Sequence, residues 1–412
     1  MDEPLERLTR RELSVLGREY LLAGHLADRA GMPYVIAEHG REAMRDVAIE
    51  EWMGASPIYT RRMRRALAFD GDDVGTIFKG MQFDIGAPHQ FMDFRFTVHD
   101  ERHGEFFLAS CGALMDVEPL GEPFVVTMCH HIEDPTFDAT AAATNPRARM
   151  RPVHRPPRIP ADRTPHCNWT VEIGPDAEPL PEPDAARILA TSRAASVRIE
   201  ATPPDREPGG RTDYSGPFDP AMQLEDFSHA TLVLVLEELA LQSHLLARSF
   251  MLAVERRFGR EEAMLVGARQ LTGIAGLTAK RLVQTLGTTG GIADVARMIE
   301  LHPAFKPGAY ADIRVGSADE LIVTLEPSPA LEEGDELTWP ALLAGGTTDA
   351  LDAVAHAVDP HAQVEQVAPE GTAVAAWSIR IDPDQPAASD ADEVRLASFT
   401  TGAAFRFADR AG

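Results

Sequence analysis

Apolar residues recur at helical spacing through the first 86 positions of the chain, and this pattern predicts four helices in succession. The expected helices cover about residues 7–30, 33–53, 57–69 and 72–86. The first break is expected at Gly31-Met32-Pro33, because Pro33 fits the first turn of a new helix. Met81, Phe83, Phe91 and Phe94 are expected in the core rather than in a pocket wall.

The pattern then changes to strict alternation, which is typical of strands. Residues 91–99 and 105–110 are expected to form a hairpin around a turn at 100–104. A mostly helical crossover is expected over residues 123–143, followed by strands at 147–154 and 167–173. The first half is therefore predicted to be a helical bundle followed by an antiparallel sheet with a crossover helix.

Residues 175–227 are rich in Pro, Asp, Glu and Gly and are predicted to be a linker, with a short helix and strand within 184–201. The order of elements then repeats. Helices are expected at 230–257, 260–272, 275–286 and 339–358, and strands at 311–316, 320–326, 374–381 and 393–407.

Matching sequence segments turn this repetition into a predicted internal duplication. Gly40-Arg-Glu-Ala-Met44 matches Gly259-Arg-Glu-Glu-Ala-Met264, and the segment 168–176 matches 376–384 around Trp169 and Trp377. We therefore predict an α+β fold of two tandem repeats. Residues 1–177 form the first repeat, 178–227 the linker and 228–412 the second repeat.

Charge and cysteine content narrow the classes of function. A formal net charge of −25 repels nucleic acid and anionic membrane, so neither is an expected partner. Three cysteines are an odd number, which argues against a secreted disulfide framework. The chain starts without a basic segment leading into an apolar core, and its longest apolar run is interrupted by Glu237 and Glu238. We expect a cytoplasmic protein that acts on a small molecule.

All three cysteines, Cys111, Cys129 and Cys167, fall in the first half, among His130, His131, His154 and His166. The expected topology places Cys111 at the end of a hairpin strand, Cys129 near the start of the crossover helix and Cys167 at the start of the last strand. Three such positions can meet at one end of a small sheet. The matching positions of the second half hold no cysteine, so the fold does not require a thiol there. A buried structural role remains the simpler alternative.

Two kinds of chemistry fit a converging cluster. In the first, a thiolate of Cys111, Cys129 or Cys167 attacks a polarised carbon, with His130 or His131 as base and Glu133 or Asp134 orienting it. In the second, the three cysteines with His130, His131 or His166 hold zinc or an iron–sulfur cluster. The cysteines are 18 and 38 residues apart, without a Cys-x-x-Cys pair, so their spacing alone is a weak metal signal.

The first half resembles the L-2-amino-thiazoline-4-carboxylic acid hydrolase family over about residues 21–173. The resemblance rests on the segment 38–43, the hairpin leading into Cys111, Cys129 before acidic residues, and a closing strand that begins Cys167-Asn168-Trp169. It implies hydrolytic opening of a cyclic amidine, with the three cysteines carrying the activity. Gly112 follows Cys111 where the family pattern has proline, and Pro165-His166 replaces a glycine-led turn.

The sequence therefore supports a C–N hydrolase of a small cyclic substrate as its first hypothesis. The alternative is a non-catalytic protein that binds a metal or a small molecule, such as a sensor. In a third interpretation the cysteine-free second repeat is a structural partner that covers the first.

Overall fold

The computed structural model describes residues 4–200, 208–317 and 320–408. The first half is helical before and after one sheet. Its helices are α1 (Arg10–Ala66), α2 (Val74–Met81), α3 (Gly112–Val117), α4 (Glu122–Val126), α5 (Glu133–Ala142), α6 (Asp184–Leu189) and α7 (Arg193–Ser196), with a π-helical turn at Thr127–Ile132. Its strands are β1 (Met92–Val98), β2 (His103–Cys111), β3 (Ala148–His154) and β4 (Cys167–Ile173).

The second half has a similar order of elements. Its helices are α8 (His229–Phe258), α9 (Arg260–Leu286), α10 (Ile292–Glu300), α11 (Trp339–Ala344), α12 (Asp349–Val358), α13 (Asp392–Ala397) and α14 (Thr401–Ala404). Its strands are β5 (Ile313–Ser317), β6 (Leu321–Leu325), β7 (Ala362–Val367) and β8 (Ala375–Ile381). Short 3₁₀ turns lie at Pro4–Arg7, Glu118–Leu120, Leu224–Asp226, Pro303–Phe305 and Pro329–Glu332.

The predicted α+β class is confirmed by two four-stranded antiparallel sheets. Their strand orders are β1-β2-β4-β3 and β5-β6-β8-β7, so each half pairs its strands in the same way. In the first sheet Phe106 pairs with Trp169, and in the second Val323 pairs with Trp377. Both tryptophans are fully buried, which places each sheet's apolar face against the helices.

The break predicted at Gly31–Pro33 is wrong, because the chain stays helical there. Gly31 lies against the ring of Phe250, where a Cβ atom would come within 2.9 Å of the ring, so this glycine permits close helix packing. The helix changes direction at Gly40 instead. The φ of 84° and ψ of 170° at Gly40 belong to a region open almost only to glycine.

The corresponding turn of the second half is at Gly259, where φ is 92° and ψ is 166° between α8 and α9. The break predicted near residues 273–274 is also wrong, since α9 is continuous. Its Gly273 and Gly276 lie against Ala30 and Val394, so they too serve close packing.

The two halves share one hydrophobic core, in which α1 packs along α8 and α9. Helix α8 is long and apolar enough to cross a membrane by composition, but most of that stretch is buried inside the protein. Core helices pass the same compositional test, so this is weak evidence for a membrane span.

Three predictions made from the sequence are wrong: those for the C-terminal segment, for one edge strand and for the linker. The strand predicted at 393–407 is instead α13 and α14, and the buried Val394 and Ala397 show the three-residue spacing of a helix. The sequence analysis missed β7, an edge strand in which half of the side chains are polar and most are partly or fully exposed. The predicted linker contains α6 and α7, and the strand expected after them is not formed up to residue 200.

Candidate functional site

The structure brings the three predicted cysteines into one buried region. Cys111 ends β2 and caps α3, where its Sγ accepts a hydrogen bond from the Leu114 N–H at 3.3 Å. Cys129 lies in the π-helical turn, and Cys167 is the first residue of β4. The charge of Glu133 and of the other two thiolates would each raise the pKa of Cys129, which places all four groups close together.

These cysteines are thiols rather than thiolates at neutral pH. Burial, and then the negative charge of Glu133, raises the pKa of Cys111 to about 12. The same two causes raise the pKa values of Cys129 and Cys167 well above their usual range. A thiolate nucleophile would therefore need a base beside it.

The predicted histidine bases do not supply this base. His130 Nε2 lies 2.7 Å from the Pro156 carbonyl oxygen, and His131 is exposed on an outer groove. In the described part of the chain neither histidine forms a hydrogen bond with a cysteine sulfur. Asp134, predicted to orient a histidine, instead pairs with Arg155.

The predicted metal ligands also have other roles. His166 Nδ1 accepts a hydrogen bond from the Cys111 backbone N–H at 3.1 Å, and burial lowers the pKa of this histidine. Among residues 4–200, 208–317 and 320–408, no group of three or more His, Cys, Asp or Glu side chains is arranged to hold a metal ion. Cys111, Cys129, Cys167 and His166 therefore do not form such a set.

A cavity of about 180 Å³ lies next to the cysteine region, with Glu133 in its wall. Its walls are mostly apolar and come from α1, α2, β1, α3, α4, the π-helical turn and α5. Representative apolar wall residues are Met32, Ile36, Ala48, Met81, Phe94 and Phe124. Of the four residues predicted to be core, Phe83, Phe91 and Met81 are buried in the core, and Phe94 is half-buried against it. Met81 and Phe94 also line the cavity.

Two polar side chains of α1 face the cavity with unused hydrogen-bonding atoms. His25 and Asp28 are 4% and 5% exposed, and the described residues offer no hydrogen-bond partner to His25 Nε2 or Asp28 Oδ1. Burial lowers the pKa of His25 well below its usual value, so its ring is neutral. Buried polar groups without partners are rare, and here they mark a place for a ligand.

Behind Asp28 lies Glu51, which is fully buried and whose carboxyl group forms a hydrogen bond with that of Asp28. Burial, followed by the negative charge of Asp28, raises the pKa of Glu51 well above its usual value. Burial also raises the pKa of Asp28. Two neighbouring carboxyls cannot both ionise cheaply in such a place, so Glu51 keeps its proton at neutral pH.

Arg29 supplies positive charge to the wall and is fixed by two carboxylates. It hydrogen-bonds to Asp28, and its Nε lies 3.4 Å from Asp116 Oδ2. Asp116 also accepts hydrogen bonds from the Thr401 N–H at 2.6 Å and from the Thr400 hydroxyl at 2.5 Å. The neighbouring Phe399 lines the cavity, so the C-terminal segment of the second half completes the wall of a site in the first.

Two further carboxyl groups can carry protons into this cavity. Burial raises the pKa of Glu133 to about 8, despite the opposing charge of Arg155. Burial also raises the pKa of Asp84 to about 6, although Asp84 accepts hydrogen bonds from the Tyr59 hydroxyl and the Gly86 N–H, both at 2.7 Å. At neutral pH, Glu133 is therefore a proton donor in a mostly apolar site.

Comparison with protein-family models, with curated proteins and with solved structures gives no match.

Sequence reasoning found the cysteine region but missed the cavity residues of the N-terminal helix. His25, Asp28 and Arg29 stand within an otherwise apolar stretch of α1. That interruption was the available signal, since charged residues are seldom fully buried without a special role. Glu133 was named only as a residue that could orient a histidine, and its own environment depends on contacts distant in sequence.

Proposed function

We propose that this protein is a hydrolase that opens a carbon–nitrogen bond of a small cyclic, amidine-like substrate bound in the first-half cavity. The observation that carries the proposal is a proton-bearing Glu133 in the same mostly apolar cavity as two polar atoms without partners in the described structure, Asp28 Oδ1 and His25 Nε2. The resemblance of residues 21–173 to L-2-amino-thiazoline-4-carboxylic acid hydrolases suggests the same substrate class.

The charges of the cavity suit a cationic amidine. Within the described residues, four carboxyl-bearing side chains line it, namely Asp28, Asp84, Asp116 and Glu133, against one arginine, Arg29. Arg29 is already paired with two of these carboxylates. An amidinium group would find an unused acceptor at Asp28 Oδ1, while its hydrocarbon part would bury apolar surface against the walls.

The proposed reaction assigns one role to each of two groups. A water molecule adds to the amidine carbon and gives a proton to neutral His25 Nε2. Glu133 then gives its proton to the ring nitrogen as the carbon–nitrogen bond breaks, which avoids an unstable amide anion. The proton on His25 returns to Glu133 through solvent, so the enzyme ends unchanged and the substrate has gained one water.

The cysteines lie behind Glu133 in this proposal and keep its surroundings poorly hydrated. Their raised pKa values favour this arrangement over a thiolate nucleophile. Replacing Cys129 by alanine should therefore reduce turnover through the pKa of Glu133, with a shifted pH profile, whereas a nucleophile would be lost at every pH.

Turnover of 2-aminothiazoline-4-carboxylate and of unsubstituted 2-aminothiazoline tests the function directly. Mass spectrometry should show a product that has gained one water molecule. Glu133→Gln should abolish this gain, and Glu122→Gln, the same change at an exposed position of α4, should keep it. The hydrolase proposal fails if neither compound is opened, or if Glu133→Gln retains full activity.

A second candidate function is binding of a small molecule without turnover. It is favoured by the protonated thiols and by the engagement of His130 with a backbone carbonyl. Equilibrium binding of an amidine without any product over many hours would support it. The metal-binding variant of this candidate requires zinc or iron in the purified protein, which elemental analysis would detect.

We further propose that the two halves are tandem repeats, the second lacking the cysteines. Paired residues stand 219 positions apart, as Gly40 and Gly259 do at the two helix breaks. Other pairs with this spacing include Glu19 with Glu238, His25 with His244, Arg29 with Arg248, Arg62 with Arg281, and Asp116 with Asp335.

Several of these paired residues make equivalent contacts, each within its own half of the chain. Arg29 binds Asp116, and Arg248 binds Asp335 at 2.7 Å. His25 packs edge-on against Phe91 at 5.4 Å, and His244 packs edge-on against Tyr310 at 5.2 Å. Conserved spacing together with conserved contacts supports descent from one unit more strongly than short sequence matches do.

A further inference from the structure

In the second half, the ring of a tryptophan lies against the counterparts of two residues of the first-half site. Trp339 is 2% exposed and begins α11. Its ring packs edge-on against His244 at 5.4 Å, and its Nε1–H donates to Gln270 Oε1 at 3.3 Å. The Gln270 amide group donates to the Ala27 carbonyl at 3.1 Å, which fixes the orientation of its acceptor oxygen.

In the first half, the residues equivalent to His244 and Gln270 lie at or directly behind the cavity wall. With the spacing of 219 positions, His244 corresponds to His25, which lines the cavity, and Gln270 corresponds to Glu51, which lies behind it. With the same spacing, Trp339 corresponds to Leu120, which also lines the cavity. Leucine has no aromatic ring, so the first half places no ring at this position.

We propose that Trp339 occupies the place that the ligand takes in the first half, so that the ligand is a flat N–H heterocycle of about the size of indole. Its N–H group would meet the Asp28 carboxyl, and its ring edge would meet His25. The inference rests on the proposed repeats and on the proposed site. It identifies the class of ring that carries the polar nitrogen of the ligand, and it holds whether or not that ligand is hydrolysed.

The size and polarity of the cavity agree with such a ligand. Its volume of about 180 Å³ exceeds the roughly 150 Å³ of an engineered apolar cavity that binds benzene. Asp28 Oδ1 awaits a hydrogen-bond donor within the described structure, as Gln270 Oε1 would if Trp339 were absent. A donor nitrogen at this place removes the cost of leaving a buried acceptor unpaired.

Titration calorimetry of the full chain with indole and with benzofuran tests the proposal. Benzofuran has the same shape but carries an oxygen in place of the N–H group. We expect indole to bind at one site and benzofuran to bind at least about tenfold more weakly, because it leaves a buried acceptor unpaired. Equal affinities, or no binding of indole, would overturn the inference.

Two substitutions of Asp28 separate recognition from structural support. Asp28→Asn keeps an acceptor oxygen and should preserve the preference for indole. Asp28→Ala reproduces Ala247, the residue 219 positions later, and should abolish the preference while leaving benzofuran binding unchanged. If Asp28→Ala weakens both ligands alike, Asp28 only supports the fold and the proposed contact is wrong.

Trp339→Gly tests the same idea from the second half. Removal of the ring should create a second indole site, so the stoichiometry should rise from one to two, and indole should restore thermal stability lost by the substitution. A single indole site in a folded variant would count against the inference. If the variant does not fold, the Asp28 titrations still decide. A chain that binds indole selectively but opens no amidine would refute the hydrolase and leave this inference standing.

Discussion

Glu133→Gln should stabilise the protein, and by an amount that depends on pH. Burial raises the pKa of this carboxyl from 4.5 to about 8 in the folded protein. Each pKa unit corresponds to about 1.4 kcal/mol. Ionisation of Glu133 therefore destabilises the folded state by up to about 5 kcal/mol. The figure is an upper limit, because the residue keeps part of its surface in water.

The sign follows from where the proton is bound. Below pH 4.5, both the folded and the unfolded chain hold it, and Glu133 contributes no pH dependence. Between pH 4.5 and about 8, the unfolded chain has released the proton while the folded chain keeps it, so the free energy of unfolding falls as pH rises. Above about pH 8 the penalty is complete. Glutamine does not titrate and avoids it.

Urea denaturation from pH 4.5 to 9 measures this effect as the difference between variant and wild type. Asp28, Glu51 and Asp84 contribute pH dependence to both proteins, so their effects largely cancel in the difference. The difference should grow with pH and level off above about pH 8. A difference that stays constant across the range would refute the buried-carboxyl reasoning. Glu122→Gln on the exposed start of α4 is the control.

Three other predictions follow from the structure. Gly40→Ala and Gly259→Ala should each cost about 1–3 kcal/mol in urea denaturation, because both glycines adopt a backbone conformation closed to alanine; losses below 0.5 kcal/mol, roughly the effect of an ordinary surface substitution, would contradict this. The buried cysteines should react with a thiol reagent at pH 7 far more slowly in the native chain than in urea, and equal rates would show that they are accessible. Arg62→Met should cost about 3–5 kcal/mol, because it leaves Glu238 charged and unpaired in the core, and Glu238→Leu added to it should restore part of the loss.

The sequence predicted the strands of the first sheet well because their pattern is local. Apolar and polar residues alternate along β1 and much of β2 around a tight turn, and the observed strands differ from the prediction by two residues or fewer at each end. The cysteine positions at the ends of β2 and at the start of β4 followed directly from this topology.

Helix breaks failed because glycine has two uses that look alike in sequence. Gly31 and Gly273 permit close approach between helices, whereas Gly40 and Gly259 adopt positive φ. The distinction depends on the packing partner, which is distant in sequence. The shared Gly-Arg-Glu motif was visible, yet it was used as a sign of duplication and not as a helix break.

The candidate site was predictable only in part for the same reason. The cysteine cluster was visible because three rare residues lie close together in the chain. His25 and Asp28 are far from it in sequence, and their importance appears only when their unpaired atoms are seen facing a cavity.

Buried charges explain why the first half should not fold alone, although its fold and cavity suggest an independent active unit. Arg62 of the first half binds Glu238 of the second through two hydrogen bonds of 2.9 Å. In the reciprocal pair, Arg281 binds Glu19 at 2.7 and 3.1 Å. All four residues are 5% exposed or less.

Removing residues 227–412 would therefore uncover Arg62 and Glu19 together with the apolar face that α1 packs against α8 and α9. The deleted chain would also lose the C-terminal segment that holds Asp116. We expect this truncated protein to aggregate or to remain unfolded, as judged by circular dichroism and gel filtration. A stable, monomeric first half that still binds an amidine would show instead that the second half is dispensable, and would contradict both the reciprocal pairing and its role in completing the cavity.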